Sequence, residues 1–372
     1  MEKTKVKTLV RQIRGVSYKP EDLHNELDDN SVVLLRANNI DEGKINFDDV
    51  VYVDKSKVSD EQYLKYGDIL ICASSGSKNL VGKAASIRFN TECTFGAFCK
   101  VIRPKEGLDE YLSVYFQSPI YRRKISEVAI GVNINNIRNE HIDELDIPVF
   151  SNDEQASIVK KIHLIQEVIS NRKAELEKLD DLIKARFVEM FGNIHESTKY
   201  PYIAVKDLTD VTSGGTPSRD KTEYWDNGTI PWVKTTELQN NVLIDVDEHI
   251  TEAGLAGSSA KLVPVGTILV AMYGQGKTRG MTAYLGVEAS TNQACACILP
   301  SDKVDSMFMW KYFELSYDKL RSLAQGAGQP NLNGNMIKNF QVLVPPIELQ
   351  KEYVDFVNQI NKSKFGKLST LL

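Results

Sequence analysis

The chain contains two copies of one sequence framework, and this repeat constrains its fold more than any other feature. At a displacement of about 198 residues, glycine, proline, asparagine and apolar landmarks coincide. The matched pairs of segments are 6–15 with 205–214, 67–70 with 266–269, 131–136 with 328–333, and 146–148 with 343–345. Solenoid repeats are roughly 20–50 residues long, so a repeat of this length predicts two related domains produced by tandem duplication.

Residues between the landmarks differ widely, which indicates two modules with one frame and different surfaces. A length of 372 residues, 42% hydrophobic and 26% charged, is ordinary for a globular chain. No apolar run approaches the roughly 20 residues of a membrane span, and no secretory signal follows Met1. Five cysteines without a Cys-x-x-Cys pair predict reduced core thiols, with Cys295 and Cys297 on one buried face. We therefore expect a cytoplasmic protein without membrane contact.

The pattern of strand-like and helical segments predicts an α+β chain in four parts. Residues 1–150 form a first mixed α/β module, in which Pro119 splits a helical segment in two. A central long helix covers 151–192, a second module covers 193–346, and a short second helix covers 347–372.

The central helix carries one apolar seam over a stretch without glycine or proline. At 1.5 Å per residue it is about 58 Å long, and such a seam requires a partner helix. The second helix has a similar seam, which predicts an antiparallel, coiled-coil-like pair that separates the modules; a helix pair that only holds the two domains together is the plainer alternative. Arg172 and Arg186 interrupt the seam, as weak spots or where a partner supplies acid. The predicted partner-binding residues are Ile158, Ile162, Ile165, Ile169, Leu176, Leu179 and Ile183.

No motif of the chain predicts catalysis. Gly-Gln-Gly-Lys-Thr at 274–278 resembles the end of a phosphate-binding loop, but Ala271 stands where the pattern needs glycine, and a strand-like run follows. The five histidines are scattered and differ between the halves, so they predict neither a metal site nor a catalytic triad. No Asn/Asp-Pro-Pro-Tyr/Phe tetrad and no Gly-x-Gly-x-x-Gly fingerprint occurs. These absences favour a recognition protein over an enzyme.

Two loops recur after the Gly-x-Ile-Leu strand of each half. Residues 74–79 and 273–279 are rich in glycine, small hydroxyls and cations, groups that suit phosphates and base edges. A solvated hairpin is the alternative. A second recurrent loop, 131–136 and 328–333, offers asparagine and glutamine, which can read adenine but also form ordinary turns. The net charge of −5 requires any nucleic acid to meet a local basic face.

These segments together resemble the specificity (S) subunit of type I restriction–modification enzymes. The resemblance covers nearly the whole chain and depends on the runs at 67–70 and 266–269, Ile-Pro-Trp-Val-Lys at 230–234, and Ser-Gly-Gly-Thr-Pro at 213–217. Its most specific marks are Gly-Gln-Pro-Asn-Leu at 328–332 and Val-Pro-Pro-Ile-Glu-Leu-Gln at 344–350. The first half departs from the pattern at residues 34–37 and 132–133.

The resemblance implies two target-recognition domains, each reading one half of a bipartite, asymmetric DNA site. The paired helices would set the gap and dock two modification subunits, which carry S-adenosylmethionine and methylate adenine. Restriction (motor-nuclease) subunits would complete the assembly, and the S subunit itself would hold no cofactor and no metal. Under this hypothesis the DNA-contacting residues are Ser74, Ser75, Ser77, Lys78, Asn79 and Lys83 for one half-site, and Tyr273, Gln275, Lys277, Thr278 and Arg279, with Lys234 and Thr235 as neighbours, for the other.

A scaffold or antirestriction decoy, which binds the modification subunit without reading DNA, remains the alternative. A single-chain nuclease or methyltransferase is disfavoured because the motifs for such chemistry are missing.

Overall fold

The chain forms two compact units, Met1–Asn171 and Arg172–Leu372, whose boundary falls within one long helix. Both units mix helices with short strands, as the repeated sequence predicts. The computed structural model describes residues 2–77, 79–128, 135–274, 276–325 and 330–368.

Unit 1 contains fourteen short strands and three helices within the described ranges, and the first half of a fourth helix. The strands are β1 Lys3–Lys5, β2 Val10–Arg14, β3 Leu23–His24, β4 Ser31–Leu35, β5 Ile40–Asp41, β6 Lys44–Ile45, β7 Val51–Asp54, β8 Ile69–Cys72, β9 Ser74–Ser75, β10 Ala84–Ser86, β11 Cys93–Phe95, β12 Cys99–Pro104, β13 Asn135–Asn136 and β14 Asp146–Pro148. The helices are α1 Asp109–Gln117, α2 Pro119–Val128, α3 Asn139–Asp143 and α4 Asn152–Phe191.

Unit 2 contains the second half of α4 and then repeats the general order of strands and helices of unit 1. Its strands are β15 Tyr202–Ala204, β16 Val211–Ser213, β17 Ile230–Val233, β18 Asn241–Leu243, β19 His249–Ile250, β20 Ile268–Ala271, β21 Thr282–Leu285, β22 Ser290–Thr291, β23 Cys295–Ile298 and β24 Gln341–Leu343. Its helices are α5 Val205–Leu208, α6 Glu252–Ala256, α7 Ser306–Leu315, α8 Tyr317–Ser322, α9 Gly334–Lys338 and α10 Ile347–Leu368.

The sheets of the two units follow one topology. The main sheet has the order β10-β8-β12-β2 in unit 1 and β18-β21-β20-β23-β16 in unit 2. A smaller sheet contains a parallel pair in both units, β4 with β11 and β17 with β22. The first and last strands also pair antiparallel, β1 with β14 and β15 with β24. The duplication predicted from the sequence is therefore confirmed by the strand order. The helix break at Pro119 is confirmed as well, because α2 begins there.

The Gly-x-Ile-Leu motif forms the central strand of each main sheet. Alternate residues of β8 belong to opposite cores, Ile69 and Ile71 on one side and Leu70 and Cys72 on the other. Strand β20 divides its side chains between two cores in the same way. The preceding glycine has φ +88° at Gly67, a left-handed conformation that favours glycine. The motif therefore encodes a strand that is covered on both faces.

The residue after that glycine is buried in both units, but its polar side chain has a different hydrogen-bond partner in each. In unit 1 Arg103 donates two hydrogen bonds to the Asp68 carboxylate, at 2.8 and 2.7 Å. In unit 2 the Thr267 hydroxyl donates to the carbonyl of Pro264 at 2.8 Å. A buried carboxylate needs such a partner, whereas a hydroxyl needs only a nearby carbonyl. This difference explains why the aspartate of the motif is replaced in the second copy.

All five cysteines are free and buried, as the sequence predicts. Cys295 and Cys297 belong to the same core cluster. Burial raises the pKa of the Cys72 and Cys297 thiols to about 11. These thiols are therefore packing groups and not reactive nucleophiles.

The last turns of α4 pack antiparallel against α10 within unit 2. Arg186 donates to Glu352 at 2.7 Å, and Lys364 at the other end of α10 binds Asp180. The Tyr353 hydroxyl donates to the carbonyl of Ile183 at 3.3 Å. For Arg186, the expectation that a partner helix supplies an acid is confirmed. The antiparallel pairing predicted from the two seams is present here.

Of the predicted seam residues of α4, Ile183 alone is buried. Ile183 is 6% exposed in the core of unit 2, and Ile158 packs against the core of unit 1. Ile162, Leu176 and Leu179 are half-buried. Ile165 and Ile169 are exposed, as are their neighbours Leu164 and Val168. In the part of the chain that the structure describes, no helix is long and apolar enough to cross a membrane.

We predict that Phe187→Ala lowers the free energy of unfolding by about 3–5 kcal/mol, because it leaves a cavity in an aromatic core. The Phe187 ring lies 5.0 Å from that of Phe191 and 5.5 Å from that of Tyr353. Val188→Ala, one position further on the same helix, changes an exposed residue and should cost about 0.5 kcal/mol or less. Urea unfolding followed by tryptophan fluorescence measures both variants, since all three tryptophans lie in unit 2. Equal losses in the two variants would contradict the packing.

Candidate nucleic-acid interface

The loop after the central strand is closed in the same way in both units. We call residues 73–82 hairpin loop 1 and residues 272–280 hairpin loop 2. Gly82 donates its N–H to the carbonyl of Cys72 at 2.8 Å, and Gly280 donates to that of Ala271 at 2.9 Å. The φ angles of these glycines are +80° and +85°. The two units therefore share the hydrogen bond and the left-handed glycine that close the base of the hairpin loop.

Hairpin loop 1 carries the predicted contact residues of unit 1 on a partly exposed loop. Ser77 and Asn79 are exposed, while Ser74, Ser75 and Lys83 are half-buried. The Ser74 hydroxyl donates to the side-chain oxygen of Asn136 at 2.8 Å. Lys78 lies outside the described residues. Ser77 and Asn79 are therefore the predicted contact residues of this loop whose described side chains are exposed.

Hairpin loop 2 differs from hairpin loop 1 in the chemistry that it exposes. Tyr273 is 42% exposed and Lys277 is exposed, while Thr278 is half-buried. The Arg279 guanidinium is half-buried and donates to the carbonyl of Pro330. Gln275 lies outside the described residues. Among the predicted contact residues that the structure describes, hairpin loop 2 thus exposes an aromatic ring and an ammonium group, whereas hairpin loop 1 exposes Ser77 and Asn79; Arg279 has an internal partner.

The second recurrent loop lies beside the hairpin loop in both units. Ile137 donates its N–H to the carbonyl of Ala73 at 2.8 Å, and Leu332 donates to that of Met272 at 3.0 Å. Residues 131–134 and 328–329 of the predicted loops lie outside the described residues. The described ends show that each unit brings its two recurrent loops together at one place.

Lys234 and Thr235 directly follow β17. This strand belongs to a different sheet from β20 and β21, the strands that hairpin loop 2 connects. The Lys234 ammonium donates to the Glu248 carboxylate at 2.8 Å and lies 3.7 Å from Asp247. This hydrogen bond raises the pKa of Lys234 and lowers that of Glu248. The charge of Lys234 is therefore largely balanced inside unit 2, while Thr235 is half-buried.

Sequence reasoning missed several polar residues that support these loops. Arg122 contacts hairpin loop 1, and Tyr317 and Arg321 contact hairpin loop 2. The signal that could have found the arginines is their separation of 199 residues, which matches the repeat. Arg219 was also missed; its guanidinium lies 3.6 Å from the centre of the Trp225 ring and contacts Glu248 at 2.6 Å.

Two units of one fold, each presenting a differently equipped hairpin loop, define a duplicated recognition protein. The family model described as "Type I restriction modification DNA specificity domain" matches residues 18–180 and 192–369. The chain therefore belongs to the type I restriction–modification DNA specificity family.

Two curated relatives agree with this assignment. The type I restriction enzyme StySPI specificity subunit of Salmonella potsdam is 41% identical over 180 residues, which cover 48% of this chain and 39% of that protein. The EcoKI specificity subunit of Escherichia coli (strain K12) is 27% identical over 377 residues, which cover 95% of this chain and 81% of that protein.

Solved structures show a similar fold over nearly the whole chain. The type I S subunit of M. genitalium has a TM-score of 0.53 at 15% identity, and the match covers all of this chain and 91% of the other. A chain from a study of complex assembly in a type I restriction–modification system has a TM-score of 0.56, also at 15% identity, covering 99% and 93%. At this level of identity the likeness concerns the fold alone.

Lys100 is a buried cation behind the second recurrent loop of unit 1. Its ammonium donates to the Asn139 side chain at 2.6 Å and lies 3.5 Å from the carbonyl of Ile137. Burial lowers the pKa of Lys100 from 10.5 to about 8. The lysine therefore fixes the segment that leaves the loop, at the cost of a desolvated charge.

We predict a pH-dependent contribution of Lys100 to stability. Between pH 8 and 10.5 the unfolded chain holds the proton that the folded chain releases, so the free energy of unfolding should rise with pH, by up to about 3 kcal/mol. Urea unfolding followed by circular dichroism at pH 7 and pH 10 should show this gain relative to Lys100→Met. Lys105→Met removes an exposed lysine and serves as the control. Parallel pH profiles of the chain and Lys100→Met would contradict the prediction.

Proposed function

We propose that this chain is the DNA-reading subunit of a type I restriction–modification complex, in which each unit reads one half of a bipartite site. The observation that carries the proposal is the pair of hairpin loops with one hydrogen-bonded base and different exposed side chains. A shared frame places the two loops equivalently in their units. Different side chains select different bases, so the two half-sites should differ and the whole site should be asymmetric.

The chemistry of the two loops supports distinct modes of reading. Ser77 and Asn79 offer neutral donors and acceptors that suit base edges in the major groove. Lys277 offers a cation for phosphate or guanine, and Tyr273 offers a ring for stacking or apolar contact. Lys78 is the cation within hairpin loop 1 in the sequence, and Lys83, which directly follows the loop, is assigned to phosphate. Because Lys234 and Arg279 already have internal partners, we assign them to holding unit 2 together, with Thr235 beside them.

The exposed stretch of α4 is the surface that we assign to the modification subunits. Leu164, Ile165, Val168 and Ile169 are each between 44% and 60% exposed. Beside them, a groove of about 690 Å³ runs between the start of α1 and the first turns of α4. Contiguous exposed apolar surface of this kind marks protein interfaces. The other predicted partner residues would support this surface from the same helix, with Ile183 buried and Ile158, Ile162, Leu176 and Leu179 half-buried.

The chain itself would then perform no catalysis. S-adenosylmethionine and the adenine-methylating site belong, in this proposal, to the modification subunits, and DNA cleavage belongs to the restriction subunits. This chain contributes target choice and, through α4 and α10, the distance between half-sites. No cofactor or metal is assigned to it.

The deciding experiment is to express the chain with its cognate modification subunits and to map methylated adenines across a genome. A single bipartite motif with a fixed gap is the expected result. If the complex assembles but methylates nothing, the chain is a scaffold or decoy that does not read DNA. Titration of the complex with DNA at several salt concentrations supplies a second readout, because phosphate contacts give a linear log–log dependence of affinity on salt.

We predict that Lys277→Ala and Asn79→Ala affect opposite half-sites. Each variant should cost about 1–3 kcal/mol of discrimination at one half-site, since each removes one base-reading or positioning contact. If Lys277 contacts a phosphate, its variant should also reduce the salt slope by about one. Competition binding with DNAs altered in one half-site at a time measures the effects. Lys261→Ala, which changes an exposed lysine whose ammonium donates to the Thr212 hydroxyl on the edge strand β16, serves as a control. Equal loss at both half-sites would contradict the assignment.

A further inference from the structure

An arginine on α2 contacts two backbone carbonyls of hairpin loop 1. Arg122 donates from Nη1 to the carbonyl of Val81 at 2.6 Å and from Nη2 to that of Asn79 at 2.8 Å. Gly82 lets α2 approach this closely, since a Cβ there would lie 2.6 Å from the Ile125 side chain and 2.9 Å from Arg122 Nη1. The loop and the helix are therefore built to touch.

Unit 2 contains the corresponding contact on α8. Arg321 donates from Nη1 to the carbonyl of Arg279 at 2.9 Å, and the Tyr317 hydroxyl donates to that of Lys277 at 2.7 Å. When Gly280 is placed on Gly82, Arg279 falls on Val81 and Lys277 falls on Asn79. The same two loop carbonyls are therefore held in both units.

The two units use different side chains to donate hydrogen bonds to these two loop carbonyls. Arg122 serves both carbonyls alone, because the position that corresponds to Tyr317 is Ser118, whose hydroxyl accepts from the N–H of Tyr121 at 3.2 Å. In unit 2 Arg321 also donates to the Tyr317 hydroxyl at 3.1 Å and lies 5.3 Å from the centre of its ring. Arginine and tyrosine thus act there as one connected pair.

The held carbonyls belong to residues that follow the exposed tip of each loop in the sequence. Among the residues that the structure describes, no heavy atom outside the chain neighbours lies within 4 Å of an ideal Cβ at Gly76 or Gly276. Hydrogen bonds from a charged donor are among the stronger ones in proteins. A loop already fixed by them loses less conformational entropy when it binds.

We propose that Arg122, and Arg321 together with Tyr317, are positioning residues that hold hairpin loops 1 and 2 in the conformation that reads DNA. This inference rests on the proposed function. Each set acts on its own unit, so each sets the discrimination at one half-site. The arginines act through the loop backbone and not by direct contact with DNA.

Conservative substitution separates positioning from direct phosphate contact. Lysine keeps the positive charge of Arg122 and Arg321, but it cannot offer two donors in a planar fork. A phosphate contact would largely survive Arg→Lys, whereas the bridge to two carbonyls would not. Tyr317→Phe removes a single donor and keeps the ring, which gives a variant specific to unit 2.

The test uses the complex with modification subunits for methylation and the free chain for hydrogen exchange. Arg122→Lys should lower discrimination at one half-site by roughly tenfold, the value of one charged hydrogen bond, and Arg321→Lys should do so at the other. In the free chain, the backbone amides of the affected hairpin loop should exchange faster. Tyr317→Phe should weaken only the half-site that Arg321→Lys weakens. Arg123→Lys on α2 and Lys319→Ala on α8 change exposed residues of the same helices and should match the wild type.

The outcomes separate this inference from the proposed function. If the wild-type complex gives no bipartite methylation, the proposed function fails, and with it the claim that the held loops read DNA. If the wild type reads DNA and the arginine variants discriminate as it does, the positioning role is wrong. Loss at both half-sites from one variant, or unchanged loop exchange with lost discrimination, also overturns it.

Discussion

In each unit the central strand, β8 or β20, is buried on both faces, and the other elements depend on its coverage. One face meets the helices and the other meets the smaller sheet, so the strand joins two hydrophobic cores. Such a strand cannot shift by one residue without moving every side chain to the wrong core. Its end is therefore a fixed point, and the hairpin loop that follows starts from a defined position.

This arrangement separates stability from recognition. The strands, the left-handed glycines and the loop bases are shared by the two units, while the exposed side chains of the loop tips are not. Substitution at the exposed Ser77 or Lys277 alters no core contact, so under the proposed function the recognised sequence could change without a new fold. The long helix follows the same division, with buried residues at its C-terminal end and exposed apolar residues between 164 and 169.

Much of the framework could be predicted from the sequence because its signals are local or periodic. The repeat, the central strand, the break at Pro119 and the antiparallel helices all follow from spacing and residue type. The side-chain partners could not be predicted, since they are distant along the chain: Arg279 meets a carbonyl 51 residues away, and Arg122 meets one 41 residues away. A cation in a loop looks the same in a sequence whether its charge faces solvent or, as for Lys234, a glutamate.

The link between hairpin loop and helix also defines what must be exchanged to alter specificity. Arg122 lies 43 residues beyond Asn79, and Arg321 lies 44 residues beyond Lys277, yet each arginine fits the backbone of its own loop. A loop transplanted alone would meet the wrong set of donors, one arginine in place of an arginine and a tyrosine, or the reverse. Under the proposed positioning role, the segment to exchange is the whole stretch from central strand to second helix, and chimaeras joined at its borders would inherit both the reading loop and its support.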